Sequence, residues 1–179
     1  MEDTPVTIIG IVIASILMFV IPLVTIADRN DDISQLTIQT ATSKFVDTVV
    51  KKGKLTDEDY QNYLLEIASS GNTYEADLEI QILDENPAKK TTDTTSSIGT
   101  NAYYSIYTSQ IEDKLQKDKR ETGIGQIILK EGDIISVTAK NSSKTVSQTL
   151  KNIYYTISGD ELHIIYASGT GTIAINGAT

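Results

Sequence analysis

Apolar and polar residues are distributed unevenly along this chain. The 22 residues from Val6 to Ala27 contain no charged side chain, whereas nearly all charged residues and every alternating pattern come later. At about 1.5 Å per residue, a helix of this length covers a hydrocarbon layer roughly 30 Å thick. The pattern predicts a tail over residues 1–5, one transmembrane helix over 6–27, and a polar domain after it.

A cleaved signal peptide and a buried core helix are the two alternatives for this apolar run. Signal peptides have a basic n-region and a small-residue cleavage site, but here Glu2 and Asp3 precede the run and residues 25–27 make a poor site. A long run without a polar face rarely suits the core of a small domain. A retained anchor is therefore favoured, and Pro22 should kink it.

Helical periodicity continues beyond the anchor. Apolar residues recur every three or four positions at Ile38, Ala41, Phe45 and Val49. They predict a stalk helix over 28–53 with one apolar stripe, ending at Gly53. If no break occurs near Asn30, anchor and stalk form one long helix. These four residues, together with Pro22, are the candidate positions for helix packing and assembly.

The region 54–179 is predicted to be a separate domain. Thr56 followed by three acidic residues is typical of a helix N-terminus, and Gly71 should end that helix. From Tyr74 to Ile82 apolar residues alternate with acidic or polar ones, which predicts a half-buried strand. Residues 88–100 are turn-rich and predict a flexible surface loop.

The rest of the chain predicts mainly strands. We expect a helix over 103–119, strands over 127–129 and 134–140, a short helix within 145–155, and a final hairpin turning at Gly169-Thr170-Gly171. That hairpin would pair 162–167 with 172–176. The resulting fold class is α+β, with a mostly antiparallel sheet behind the N-terminal helix.

Several segments resemble TadE-like minor pilins or pseudopilins of tight-adherence, type IV pilus-related loci. Residues 45–74 (FVDTVVKKGKLTDEDYQNYLLEIASSGNTY) carry a stalk Phe-Val, a glycine, Leu-Thr-x-x-x-Tyr, and Ser-Gly-Asn-Thr-Tyr before a strand. Residues 101–104 and 129–137 are similar as well. The resemblance implies an exported α+β domain on a membrane helix, in a subunit that joins or primes a surface filament made with secretion platform proteins.

Two features depart from that family. Type IV pilins carry a short basic leader with a prepilin-peptidase site, and a glutamate early in the mature apolar helix. Here the apolar run contains no glutamate and Glu2 lies outside it. Peptidase processing and glutamate-mediated assembly are therefore not expected, although Pro22 resembles the proline found late in pilin helices.

Charge and composition narrow the possible partners. The formal net charge is −9, with no basic stripe, so nucleic acid is not an expected partner, whereas the lipid bilayer is. Arg29 is the only basic residue near the anchor, so the positive-inside rule is nearly neutral. The Thr/Ser-rich, cysteine-free remainder favours an extracellular C-terminal domain on a bacterial cell membrane.

Candidate chemistry is sparse. His163, the only histidine, lies in an alternating run typical of an exposed strand. No Gly-x-Ser-x-Gly elbow, phosphate loop or EF-hand spacing is present, so we expect no enzyme activity, cofactor or metal. The alternative to a pilin-like subunit is a membrane-tethered module that binds a protein or glycan through its tyrosines and the 88–100 loop.

Overall fold

The computed structural model describes residues 3–84, 103–149, 152 and 164–177. A long helix, α1 (Asp3–Lys52), precedes strand β1 (Lys54–Thr56), helix α2 (Asp57–Ala68) and strand β2 (Tyr74–Leu83). Strand β3 (Tyr103–Tyr107), helix α3 (Thr108–Thr122) and strands β4 (Gln126–Ile128), β5 (Ile134–Asn141) and β6 (Tyr166–Thr172) follow. All strand pairings among the described residues are antiparallel, which confirms the α+β class.

The predicted anchor and stalk are two parts of one helix. α1 is continuous over 50 residues, with Pro22 inside it and no break near Asn30. Its N-terminal half is long and apolar enough to span a membrane, and its most apolar stretch is unburied. Gly53, with φ of 63°, ends the helix in a conformation that side chains disfavour. We call the described residues after α1, from Gly53 to Gly177, the head.

The larger sheet has the strand order β3-β2-β5-β6. Along β2, Leu78 and Ile80 are buried while Glu75 and Asp77 face solvent, as the alternation predicts. The buried face packs against the C-terminal half of α1 and against α2 and α3. The core so formed includes Ile38, Phe45, Val49, Tyr63, Leu78, Ile80, Ile111, Leu115, Ile135 and Val137.

A small second sheet pairs β1 with β4, directly after the C-terminus of α1. The sequence indicated β4 but not β1, because three residues are too few to show a period. Thr56 caps α2 as expected: its hydroxyl accepts a hydrogen bond from the Asp59 amide at 3.1 Å. The strands predicted over 127–129 and 134–140 both exist, but they lie in different sheets.

The helix expected over residues 103–119 is wrong in its first part. Residues Tyr103–Tyr107 form β3, which pairs with β2 along Leu83–Glu79, and the helix begins only at Thr108. Tyrosine and isoleucine favour strands as well as apolar helix faces. Pairing with β2 buries Ile106 against the core, and this tertiary contact decides the conformation.

The final hairpin is also wrong where the structure describes it. β6 runs straight through Gly169 and Gly171 and pairs with β5 along its whole length. The glycines allow close approach rather than a turn: a Cβ on Gly171 would lie 2.6 Å from Val50 Cγ2 and 2.9 Å from Val46 Cγ1. α1 therefore crosses β6 on its two glycines.

Some expectations lie outside the described residues. These are the 88–100 loop, His163, and residues 150, 151 and 153–155 of the predicted short helix. Within that helix, residues 146–149 and 152 are described and are helical.

Candidate functional site

The N-terminal half of α1 is the largest apolar surface on the described part of the molecule. Its large side chains are exposed, for example Met18 at 75 % and Phe19 at 76 %. Two hydroxyls in this segment bond back to their own helix: Ser15 donates to Ile11 O at 2.8 Å, and Thr25 to Ile21 O at 3.0 Å. With these hydroxyls satisfied internally, this surface is compatible with a membrane anchor.

The structure separates the five predicted helix-packing residues into two groups. Pro22 is exposed in the apolar half of α1. Ile38 and Val49 are fully buried, and Ala41 and Phe45 are 1 % and 4 % exposed, all within the core of their own chain. These four residues therefore pack α1 against its own head.

Above the apolar run, polar residues tie α1 to the head. Asp31 Oδ2 accepts a hydrogen bond from the Thr145 hydroxyl at 2.7 Å, and Asp28 accepts one from the Ser147 hydroxyl. The backbone N–H of Thr145 donates to Gln148 Oε1 at 3.0 Å, and the backbone N–H of Gln148 donates to Thr145 Oγ1 at 3.1 Å. This reciprocal capping box fixes the short helix beside the base of the stalk.

Two further ties lie one turn higher on α1. The Gln35 amide acts like a neighbouring strand residue: its Nε2 donates to Tyr166 O at 2.6 Å, and its Oε1 accepts from Tyr166 N at 3.0 Å. Ser34 is 1 % exposed, donates to Ser70 O at 3.4 Å and accepts from Asn72 Nδ2 at 3.3 Å. We call Asp28, Asp31, Ser34, Gln35 and their partners the collar.

Sequence reasoning missed the collar, although a signal for it exists. Asp28, Asp31 and Gln35 continue the spacing of three and four residues that Ile38 begins. A polar stripe that continues an apolar stripe on the same helix face indicates that this face still contacts the rest of the chain beyond the apolar core. The partners on the head came from distant segments and could not be read from that spacing.

Buried tyrosines connect α1, α2 and α3 in the centre of the head. Phe45 and Tyr63 stack with ring centroids 4.6 Å apart, and the Tyr63 hydroxyl bonds to Thr42 Oγ1 at 3.1 Å. The Tyr60 hydroxyl donates to Glu112 Oε1 at 2.9 Å. Burial raises the pKa of both tyrosines, and for Tyr60 the adjacent Glu112 carboxylate raises the pKa further.

Chemistry-bearing groups do not converge in the described residues. No three histidine, aspartate or glutamate side chains gather there as metal ligands would. A shallow groove of about 460 Å³ lies on the solvent face of the sheet, where α3 begins. Its polar lining includes Asp77, Glu79, Tyr107, Ser136 and Thr138.

Comparison of the chain with family models, curated proteins and solved structures gives no match.

Proposed function

We propose that this chain is a non-enzymatic, membrane-anchored, pilin-like subunit that joins or supports assembly of a surface filament or secretion pseudopilus. One observation carries the proposal: α1 is a single helix whose N-terminal half is apolar and unburied and whose C-terminal half packs into the core of the head. A free apolar half suits packing with other such helices in or beside a bilayer. The partners we propose are other pilin-like subunits and secretion platform proteins.

The apolar half offers a place for such packing. Gly10 has nothing within 4 Å of the position where its Cβ would lie, and Ala14 follows it by one helical turn. Small residues four apart let two helices approach closely in a membrane. The core of the head contains only the C-terminal half of α1, so packing between helices at Gly10 and Ala14 would leave the head intact.

Cysteine crosslinking tests subunit packing directly, because the chain contains no cysteine. Single cysteines placed one at a time over residues 8–19 should give disulfide-linked dimers under oxidising conditions in native membranes, strongest every three to four positions. Leu65→Cys is the matched control, since Leu65 is 69 % exposed but lies on α2. Monomers at every anchor position would overturn the proposal.

The side of the membrane needs its own test. We propose a cell-membrane location with the head extracellular. Protease added to intact cells should then remove the head, and the same result after lysis is the control. A head that is protected in intact cells and cut only after lysis would show that it is not extracellular and would overturn this topology.

A membrane-tethered binding module is the second candidate, and the groove on the sheet favours it. Carboxylates, hydroxyls and the exposed Tyr107 ring are groups that bind sugar hydroxyls and stack on sugar rings. Detergent-solubilised chain should then bind a glycan in an array screen, and Tyr107→Ala should abolish that binding. Binding that survives both Tyr107→Ala and Glu79→Gln would show that the groove is not the site.

A further inference from the structure

The collar brings an exposed apolar side chain of the head down to the base of the stalk. Thr145 and Ser147 are each 2 % exposed and direct their hydroxyls to Asp31 and Asp28. Val146 lies between them and is 67 % exposed. Its backbone is therefore held beside the first helical turn that follows the apolar run.

The helical rise sets the depth of that turn. Asp28 and Asp31 lie about 1.5 Å and 6 Å beyond Ala27 along the axis of α1. Each polar layer of a bilayer is about 5–8 Å thick, given a hydrocarbon core of about 30 Å within a total of about 40–45 Å. When the segment 6–27 fills the core, Val146 lies at the depth of the lipid headgroups.

We propose that Val146 and the turn carrying it form a second contact with the bilayer, in its headgroup layer. This inference rests on the proposed membrane anchoring. Continuity identifies the occupant as lipid, because the turn is bonded to the residues at which α1 leaves the hydrocarbon core. The contact would restrict how far the head can tilt over the membrane.

The charges around the turn point to an apolar rather than an electrostatic contact. Arg29 and Lys144 are exposed there, but Asp28, Asp31 and Asp32 lie at the same level. A mixed set of this kind lacks the cluster of basic residues that attracts anionic lipid. The contact should therefore form on neutral lipid and change little with salt.

A tryptophan reporter tests the contact cleanly, because the chain has no tryptophan. The full chain carrying Val146→Trp is reconstituted in phosphatidylcholine vesicles with or without lipids brominated near the top of the acyl chain. We expect blue-shifted emission and strong quenching by the brominated lipid. The quenching should persist at about 1 M salt, where the Debye length is only about 3 Å.

Leu65→Trp is the matched surface control. Leu65 is as exposed as Val146, and its neighbour Glu66 bonds to Lys44 at 3.0 Å, which places α2 roughly 25 Å above Ala27. Its emission should stay solvent-like and unquenched. Equal quenching at Leu65 and Val146 would mean that tryptophan itself drives the contact, and would overturn the proposal.

Phe19→Trp separates this inference from the anchoring on which it rests. Because Phe19 lies about 12 Å below Ala27, near the centre of the hydrocarbon core, it is probed with lipids brominated near the middle of the acyl chain. Quenching at Phe19 without quenching at Val146 would leave the anchor intact and show that the second contact is wrong. No quenching at Phe19 would show that the anchoring itself is wrong. Quenching at Val146 that disappears at high salt would replace the apolar contact by an electrostatic one.

Discussion

Replacing Gly171 with alanine should destabilise the head through one specific contact with α1. The new Cβ would lie 2.6 Å from Val50 Cγ2 and 2.9 Å from Val46 Cγ1, whereas ordinary carbon contacts begin near 3.4 Å. The Val50 methyl must therefore move by nearly 1 Å. Valine on a helix has one strongly preferred rotamer, so the backbone of α1 or β6 must move instead.

The expected cost follows from these distances. Overpacking by one methyl typically costs about 1–3 kcal/mol, and loss of unfolded-chain entropy on replacing glycine returns about 0.4–1 kcal/mol. Gly171→Ala should thus lower the free energy of unfolding by about 1–2 kcal/mol. Val50→Ala removes the closer obstacle, so the double variant should be about 1 kcal/mol more stable than the sum of the single effects implies.

Urea unfolding in detergent micelles, followed by circular dichroism, measures the free energy of unfolding of the unmodified chain, the two single variants and the double variant. Ser168→Ala controls for a change elsewhere on β6, because Ser168 is exposed on the solvent face. Additivity of Gly171→Ala and Val50→Ala within about 0.5 kcal/mol would refute the close-approach explanation.

Three further changes test other parts of the structure. Burial raises the pKa of Tyr60 above its ordinary 10.0 in the folded state, so the stability that the protonated hydroxyl contributes is complete below pH 10 and declines as the pH rises further. Above pH 10 the urea midpoint should therefore fall less steeply in Tyr60→Phe than in the unmodified chain. An identical slope would contradict this explanation. Thr56→Ala should cost about 1 kcal/mol by removing the cap of α2, whereas Thr56→Ser should cost far less; equal losses would remove the cap from the explanation. Gln35→Ala should cost less than about 1 kcal/mol, since water replaces its amide, but hydrogen exchange at the Tyr166 amide should accelerate, and unchanged protection would show that Gln35 does not hold that strand.

Periodicity predicted the elements that are long or capped. The stripe from Ile38 to Val49, the Thr56 cap and the alternation along β2 each depend on neighbours within a few residues, and each is present. The strand character of 103–107 and the straight course of β6 depend on contacts with β2, β5 and α1. A single sequence does not show such contacts, and the same residue types suit either conformation.

The candidate site was predictable only in its apolar part. A run of 22 uncharged residues is sufficient to indicate a spanning helix. The collar was not, because Asp31 and Thr145 are 114 positions apart in the chain and meet only in the folded head. The surface against which Ile38, Ala41, Phe45 and Val49 pack was not predictable for the same reason: it is the sheet of the folded head.

Because α1 is unbroken, the direction in which the head projects from the helix axis is fixed relative to the faces of the apolar half. Each residue of an α-helix advances about 100° and 1.5 Å. Inserting one residue between Val20 and Ala27 would therefore not lengthen a tether; it would swing the whole head by about 100° relative to residues such as Gly10. The apolar half and the head therefore rotate together about the axis of α1. The face that α1 presents inside the membrane also sets the direction in which the outer surface of the head points.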